Sequence, residues 1–376
     1  MKINKKIKMT FIILFALIAS LTLITLIFLK TSPQFGASKK EILMAGVAAS
    51  PNHKDGVFQN AMPTEVMTGF EWSSLPQYFT NGNKVPQTIL PMKPINLKAE
   101  PTLADSITRV TWLGHSAALI EIDGKKLLLD PMLGEVPSPH PLLGSKRFDN
   151  TVPVNLDELD TIDAVIISHD HYDHLDYGSI MKLKDKTTHF YVPLGVKAHL
   201  LSWNIAPEKV TELDWWETVN VDKIKLTTAP ARHFSGRGLN DRNSTLWCSW
   251  IIEGTSSKVY FSGDSGYGNH FKEIGEKYGP FDLALVECGQ YNEQWSKIHM
   301  MPEETVTAGA DLNAKLVLPI HWGAYKLALH DWDDPIKRAY KAAQIQCVNL
   351  TTPQIGEPII LKSEIWPKET WWVQKN

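Results

Sequence analysis

Cysteine is scarce in this 376-residue chain: Cys248, Cys288 and Cys347 are the only three. They are too few for a disulfide scaffold, and their spacing is not that of a metal knuckle. A cationic surplus is also missing, with 38 Lys and Arg against 41 Asp and Glu for a net charge of -3. Residues 1–30 hold five of the lysines and no acid, which leaves -8 on the remainder. An acidic body of this kind argues against nonspecific nucleic-acid binding, which needs cations to meet phosphates. No Gly-x-Ser-x-Gly elbow is present to organise a serine triad. The glycine-rich Ser262-Gly263-Asp264-Ser265-Gly266-Tyr267-Gly268 lacks a phosphate-loop lysine. No internal repeat stands out. Disorder is excluded, because a composition that is 43% hydrophobic can bury a core.

What is present begins with a hydrophobic run. Residues 9–29 are apolar at 17 of 21 positions, broken only by Thr10, Ser20, Thr22 and Thr25. As a helix the run would be about 31 Å long, close to the hydrocarbon core of a bilayer. It reads as a retained N-terminal anchor over residues 1–30. A cleaved signal is the competing reading, with Gly36-Ala37-Ser38 as the nearest small-residue site, and a buried helix is the third. Four lysines precede the run, so the expected topology has a cytoplasmic N-terminus and the catalytic body on the other side of the membrane.

Residues 31–105 are rich in Pro, Gln, Asn and Lys, with short apolar pieces such as Phe70-Glu71-Trp72 and Ile89-Leu90-Pro91-Met92. They read as an irregular extension with one helix near 39–50, either a wrapping arm or a cover for a substrate channel. From residue 106 to 376 the pattern is that of one layered α/β domain. Strand candidates are 107–113, 117–122, 126–129, 164–167, 223–228, 246–253, 258–261, 283–287 and 316–320. Asp123-Gly124 signals a hairpin, and Pro302-Glu303-Glu304 opens a helix.

The chemistry concentrates where strands end. Ser168-His169-Asp170-His171-Tyr172-Asp173-His174 sets three imidazoles and a carboxylate directly after an apolar strand. Neutral imidazole nitrogens and carboxylate oxygens are metal ligands, and bound cations would balance so dense a cluster. His233, Asp264 and His321 each follow another strand candidate. Asp130, after Leu127-Leu128-Leu129, is placed either to orient a ligand imidazole or to form a turn before Pro131. His115 lines the mouth, supports Asp130 or simply packs, and Asp170 orients water or its own loop. Arg237 reads as a solvated loop residue and Arg232 as half of a salt bridge, with phosphate contacts as the alternative for both. Among the 13 tryptophans, Trp215-Trp216 and Trp371-Trp372 read as core packing, with lipid contact as the other reading.

The segment His169-Asp170-His171-Tyr172-Asp173-His174, followed in order by His233, Asp264 and His321, resembles the metallo-beta-lactamase superfamily. Trp112-Leu113-Gly114-His115-Ser116, Glu212-Leu213-Asp214-Trp215-Trp216, His233-Phe234-Ser235, Leu239-Asn240-Asp241 and Ile320-His321-Trp322-Gly323 are similar to its N-acylphosphatidylethanolamine-hydrolysing phospholipase D branch and to related bacterial hydrolases. The resemblance implies a four-layer αββα fold, here behind an N-terminal membrane helix. It implies two zinc ions, with iron or manganese as alternatives. His169, His171 and His233 would hold one; Asp173, His174 and His321 would hold the other, with Asp264 shared. Asp173, Asp264 and His299 would be catalytic, His299 beside the phosphate or the departing group. The implied substrate is a membrane lipid, N-acylphosphatidylethanolamine, cleaved to N-acylethanolamine and phosphatidic acid. A lactonase or sugar-phosphate hydrolase is the alternative enzyme. A non-catalytic metal-binding interaction protein is the alternative of another class, and nucleic-acid and beta-lactam cleavage are disfavoured.

Overall fold

A 27-residue helix, α1 (Lys5–Thr31), opens the computed structural model, which describes residues 5–69, 82–96, 103–104, 106–148 and 152–373. None of its residues is buried by the rest of the protein. By length and composition it can cross a bilayer, and a signal sequence shares those features. The expected helix near 39–50 is shorter. In α2 (Lys39–Met44) the Ser38 hydroxyl accepts the Glu41 N–H, and the Glu41 carboxylate accepts the Ser38 N–H in return. Gly46, in a left-handed conformation at φ +89°, ends that segment, and a single 3-10 turn follows over Val47–Ala49.

A short hairpin, β1 (His53–Lys54) and β2 (Val57–Phe58), comes next. Ala37, Ile42, Val47, Phe58 and Leu90 are all buried in the main core, so the extension wraps onto the body as an arm. Phe70-Glu71-Trp72 lies outside the described residues.

Two mixed sheets form the body. The first contains β3 (Arg109–Trp112), β4 (Ala118–Ile122), β5 (Lys125–Leu129), β6 (Ile162–Ile166), β7 (Thr187–Pro193) and β8 (Val210–Leu213), in that spatial order. The second contains β9 (Thr218–Val221), β10 (Ile224–Ala229), β11 (Ser249–Glu253), β12 (Lys258–Phe261), β13 (Leu283–Glu287) and β14 (Val317–Ile320). The last strand, β15 (Pro358–Ile360), pairs antiparallel with β3 and makes the first sheet seven-stranded. Asp123 and Gly124 both take positive φ (48° and 74°), the two-residue turn that joins β4 to β5 as expected.

Alternation along the strands builds the layers. In β5, Leu127 and Leu129 join the core between the sheets, while Leu128 points to a second core behind. Ile120 and Leu119 of β4, and Ile166 and Val165 of β6, divide the same way. Helices α3 (Tyr177–Leu183) and α4 (Val196–Ser202) close the second core through Ile180, Leu183, Val196 and Leu200. Helices α5 (His270–Tyr278), α6 (Pro302–Asp311) and α7 (Asp334–Gln346) pack beyond the second sheet through Phe271, Ile274, Val306, Ile336 and Ala339. The result is the αββα arrangement. Strands such as β13 read as unbroken apolar runs because both of their faces are covered.

Strand direction sets where chemistry can gather. In the first sheet β3, β5 and β6 run the same way, because β3 and β5 each lie antiparallel to β4 and β5 is parallel to β6. In the second sheet β10, β12, β13 and β14 likewise share one direction. Their C-terminal ends and the loops that follow carry all seven predicted metal ligands.

Candidate metal centre

The loop after β6 presents His169, His171, Asp173 and His174, and it is tied down from several sides. Asp176 caps α3 by accepting the Gly178 and Ser179 N–H groups. The Asp170 carboxylate accepts from the Gly236 N–H (2.8 Å), Thr245 Oγ1 (2.7 Å) and His199 Nε2 (3.3 Å). Burial pushes its pKa up, but those hydrogen bonds and the neighbouring histidines win and hold it well below the usual carboxylate range. Asp170 therefore orients its own loop.

Arg237 overturns the solvated-loop reading. It is 4% exposed, donates to the carbonyls of Asp170, Leu175 and Gln34, and lies 4.2 Å over the Tyr172 ring. A guanidinium has five donors in a planar fork, which suits it to gathering carbonyls from separate segments. Arg232 likewise forms no salt bridge among the described residues. It donates to Thr64 Oγ1, Pro63 O and Tyr267 O, and so tethers the N-terminal arm.

Opposite the histidine loop, β12 delivers Asp264 through Gly263. At φ +56°, with Ser168 Cβ only 2.5 Å from where a Cβ would sit, that position takes glycine alone. His115, Asp130 and His321 also have positive φ (53°, 35° and 66°), so three non-glycine turns at the site hold unfavourable backbone. Two of them brace each other across the sheets: the His115 N–H donates to Trp322 O and the His321 N–H to His115 O.

Among the described residues four overlapping groups of ligand atoms result, each within 4.8 Å of its own members; two of them are His169, His171, His233 and Asp264, and His115, Asp173, His174 and His321. All seven predicted metal ligands are brought together. Asp264 lies between the groups, 3.7 Å from His233 Nε2, 3.9 Å from His169 Nε2, and 3.1 Å from both His174 Nε2 and His321 Nδ1. His115 joins the second group through Asp173 (3.0 Å) rather than supporting Asp130.

The orientation of the rings tests whether ions fit. His233 Nδ1–H donates to Ile298 O, and His174 Nδ1–H donates to Asp130, as expected for an orienting carboxylate. Ser168 Oγ–H donates to Asp130, leaving its oxygen to accept from His169 Nδ1–H. Each of these rings therefore turns Nε2 inward, with a bare lone pair on His169 and His233 and, once a metal has displaced its proton, on His174. His169 Nε2 and His233 Nε2 converge on His171 Nδ1 at 2.9 and 3.1 Å. His174 Nε2 and Asp264 Oδ1 are buried without an aligned hydrogen bond, despite their close neighbours. Lone pairs converging inward, with outer N–H groups fixed on acceptors, is how imidazoles hold a cation. The donors fit a binuclear centre of zinc, iron or manganese.

Electrostatics agrees. Burial holds His169, His233 and His321 well below their ordinary pKa and lowers His171 to about 4, so these rings are neutral. Burial would depress His174 too, but Asp264, Asp173 and Asp130 outweigh it and raise its pKa well above the ordinary value. Burial pushes Asp264 up to about 6.

The centre opens into a cavity of about 250 Å³, with Val66, Met67, Phe234, Trp295 and Leu327 among its walls and His299 at its side. The arm thus supplies part of the wall. Glu287 escaped the sequence reading. It ends β13, is 0% exposed, and places Oε2 at 3.1 Å from His299 Nδ1. Burial pushes its carboxyl well above the usual range. The one available signal was an ionisable residue closing the apolar run Leu283-Ala284-Leu285-Val286. Trp215 is buried with its N–H on Trp247 O, and Trp371 and Trp372 pack around Trp322, which is the core-packing reading.

Residues 125–322 match a family model described as a beta-lactamase superfamily domain. An uncharacterized protein of Mycobacterium tuberculosis is 40% identical over 323 residues, 82% of this chain and 84% of its own. The N-acyl-phosphatidylethanolamine-hydrolyzing phospholipase D 1 of Caenorhabditis elegans is 33% identical over 291 residues, 73% of this chain and 81% of its own. The solved isothiocyanate hydrolase from Delia radicum gut bacteria shares the fold at a TM-score of 0.54 and 20% identity, covering 67% of this chain and 98% of that one.

Proposed function

The chain belongs to the metallo-beta-lactamase superfamily as a metal-dependent hydrolase, and from that premise we propose that it hydrolyses N-acylphosphatidylethanolamine to N-acylethanolamine and phosphatidic acid. The observation that carries this reading is a two-cluster metal site opening into a cavity with apolar walls. The relative from Caenorhabditis elegans, whose name states this reaction, adds support.

In this reading His169, His171 and His233 hold one ion, Asp173, His174 and His321 the other, and Asp264 serves both. Two divalent ions, when bound, supply a water-derived nucleophile and charge stabilisation at phosphorus. The protein does the rest. Asp130 and Ser168 set the ring orientation of His174 and His169, and Asp170 with Arg237 fixes the loop that carries the ligands. His299, beside the cavity, donates a hydrogen bond to a phosphate or departing oxygen. Water oxygen adds to phosphorus, the bond from phosphorus to the ethanolamine oxygen breaks, and that oxygen leaves with a proton. Val66, Met67, Phe234 and Leu327 offer apolar surface to acyl chains.

The same reading takes residues 1–30 as a bilayer anchor, 31–105 as the wrapping arm and 106–376 as the hydrolase domain, with the catalytic body outside the cytoplasm. A substrate with long acyl chains resides in a membrane, and α1 would hold the enzyme there. The test is a lipid-class turnover screen on vesicles, with phosphorus-containing products identified. Release of phosphatidic acid and N-acylethanolamine together is expected. Intact N-acylated lipid alongside rapid opening of lactones would reject the substrate.

A further inference from the structure

Glu287 is a buried carboxyl group at the site, one to which the ligand assignment above gives no ion. It occupies the last position of β13, whose parallel neighbours β12 and β14 end beside Asp264 and His321. Both ends of its backbone unit are fixed: its N–H donates to Ser262 Oγ, and its carbonyl accepts from Thr305 Oγ1 at 2.7 Å. Oε1 accepts the N–H of Met300 (2.9 Å) and of Ser265 (3.3 Å). Ser265 follows Asp264 in sequence, and Met300 follows His299. A single carboxylate thus ties together the two segments that carry those residues, while Oε2 faces His299 Nδ1.

We propose that Glu287 is a positioning residue that holds His299 with Nε2 turned toward the substrate. The His299 ring is fixed on three sides. It stacks on His321 at 5.2 Å with an interplanar angle of 13°, lies 5.0 Å from His233, and meets Glu287 through Nδ1. Nδ1 and Nε2 lie on different edges of an imidazole, so engaging the first leaves the second for the cavity that His299 lines. The contact pins the ring whichever partner holds the proton between them.

A role in packing alone does not account for the side chain. Burying a carboxylate costs stability unless its hydrogen bonds are worth more than the water they replace, and an apolar residue would fill the space at less cost. The inference rests on the proposed reaction only for the choice of substrates.

The experiment compares wild type, Glu287→Gln, His299→Asn and the double variant. Two phosphodiesters are used: N-acylphosphatidylethanolamine, which expels an alkoxide, and bis(4-nitrophenyl) phosphate, which expels a stabilised aryl oxide. A hydrogen bond to the departing oxygen matters more for the alkoxide. Glu287→Gln is expected to lower the ratio of alkoxide to aryl kcat by roughly 10- to 100-fold, with KM changed by less than about threefold. His299→Asn should give the same ratio, and the double variant should fall no further.

Metal content should stay at the wild-type number of ions per chain. Donor atoms of Asp264, Glu287, His299 and His321 lie within 4.8 Å of one another. Loss of an ion in Glu287→Gln would make the residue a ligand and overturn the proposal. Equal loss on both substrates, or additive effects in the double variant, would overturn it too. If wild type releases no phosphatidic acid, the substrate reading fails by itself, and the ratio is then measured on alkyl and aryl carboxylic esters that it does hydrolyse.

Discussion

Replacing Asp264 by asparagine should have opposite effects on the metal-free and metal-loaded protein. The carboxylate is 3% exposed, and burial raises its pKa to about 6 from an ordinary 3.8. A folded-state pKa above the unfolded one means that the native state binds the proton more tightly. Metal-free stability is therefore lost as pH rises from about 4 to about 6. Two pKa units at 1.36 kcal/mol each give up to ~3 kcal/mol, so metal-free Asp264→Asn should be more stable than wild type by that amount at pH 7.5. Below about pH 4 the difference should vanish, since the wild-type carboxyl is then protonated in the folded and the unfolded chain alike. With metal the sign reverses. The removed charge lies between both clusters, and at ~4 Å with an effective dielectric of ~20 a unit charge pair is worth about 4 kcal/mol. That predicts at least about 10³-fold weaker zinc binding. Denaturant midpoints across pH on the metal-free proteins, with chelator-competition titrations, measure both arms. Unchanged zinc affinity, or a metal-free variant less stable than wild type at pH 7.5, would refute the placement of Asp264.

Three further outcomes are expected. His174 carries a proton in the metal-free protein because its raised pKa keeps it charged at neutral pH, so zinc uptake at pH 7.5 should release about one proton from it; calorimetry in buffers of different ionisation enthalpy counts it. Arg237→Leu strips donors from the buried carbonyls of Asp170, Leu175 and Gln34 and should cost about 3–5 kcal/mol of stability, read from denaturant unfolding. Deleting residues 1–31 removes a helix with no buried residue, so the melting temperature should be unchanged; if the proposed anchor and substrate hold, the truncated protein should also leave the membrane fraction and turn over vesicle lipid more slowly, as fractionation and a vesicle assay measure.

The proposed metal ligands stand out in the sequence because each follows a strand: His169 to His174 after β6, His233 after β10, Asp264 after β12, His321 after β14. Local apolar runs gave those strands, and a metal site needs side chains that stand out chemically. The edge of the first sheet was not legible. β15 pairs with β3 from some 250 residues away, and Pro358-Ile359-Ile360 has no local pattern to announce it. Nor was α7, where Asp334 and Pro335 open a 13-residue helix whose interspersed charges and amides hide its narrow apolar stripe. Arg237, His115 and Glu287 share another cause. Their partners, Gln34, Asp173 and His299, become neighbours only after the sheets pack, and no spacing along the chain encodes such contacts.

The most direct test of the account is hydrolysis of vesicle-borne N-acylphosphatidylethanolamine by the zinc-loaded enzyme in ¹⁸O-enriched water. The account predicts one ¹⁸O in phosphatidic acid and none in N-acylethanolamine, because water attacks phosphorus. Label in a released fatty acid, or no label in phosphatidic acid, would contradict it.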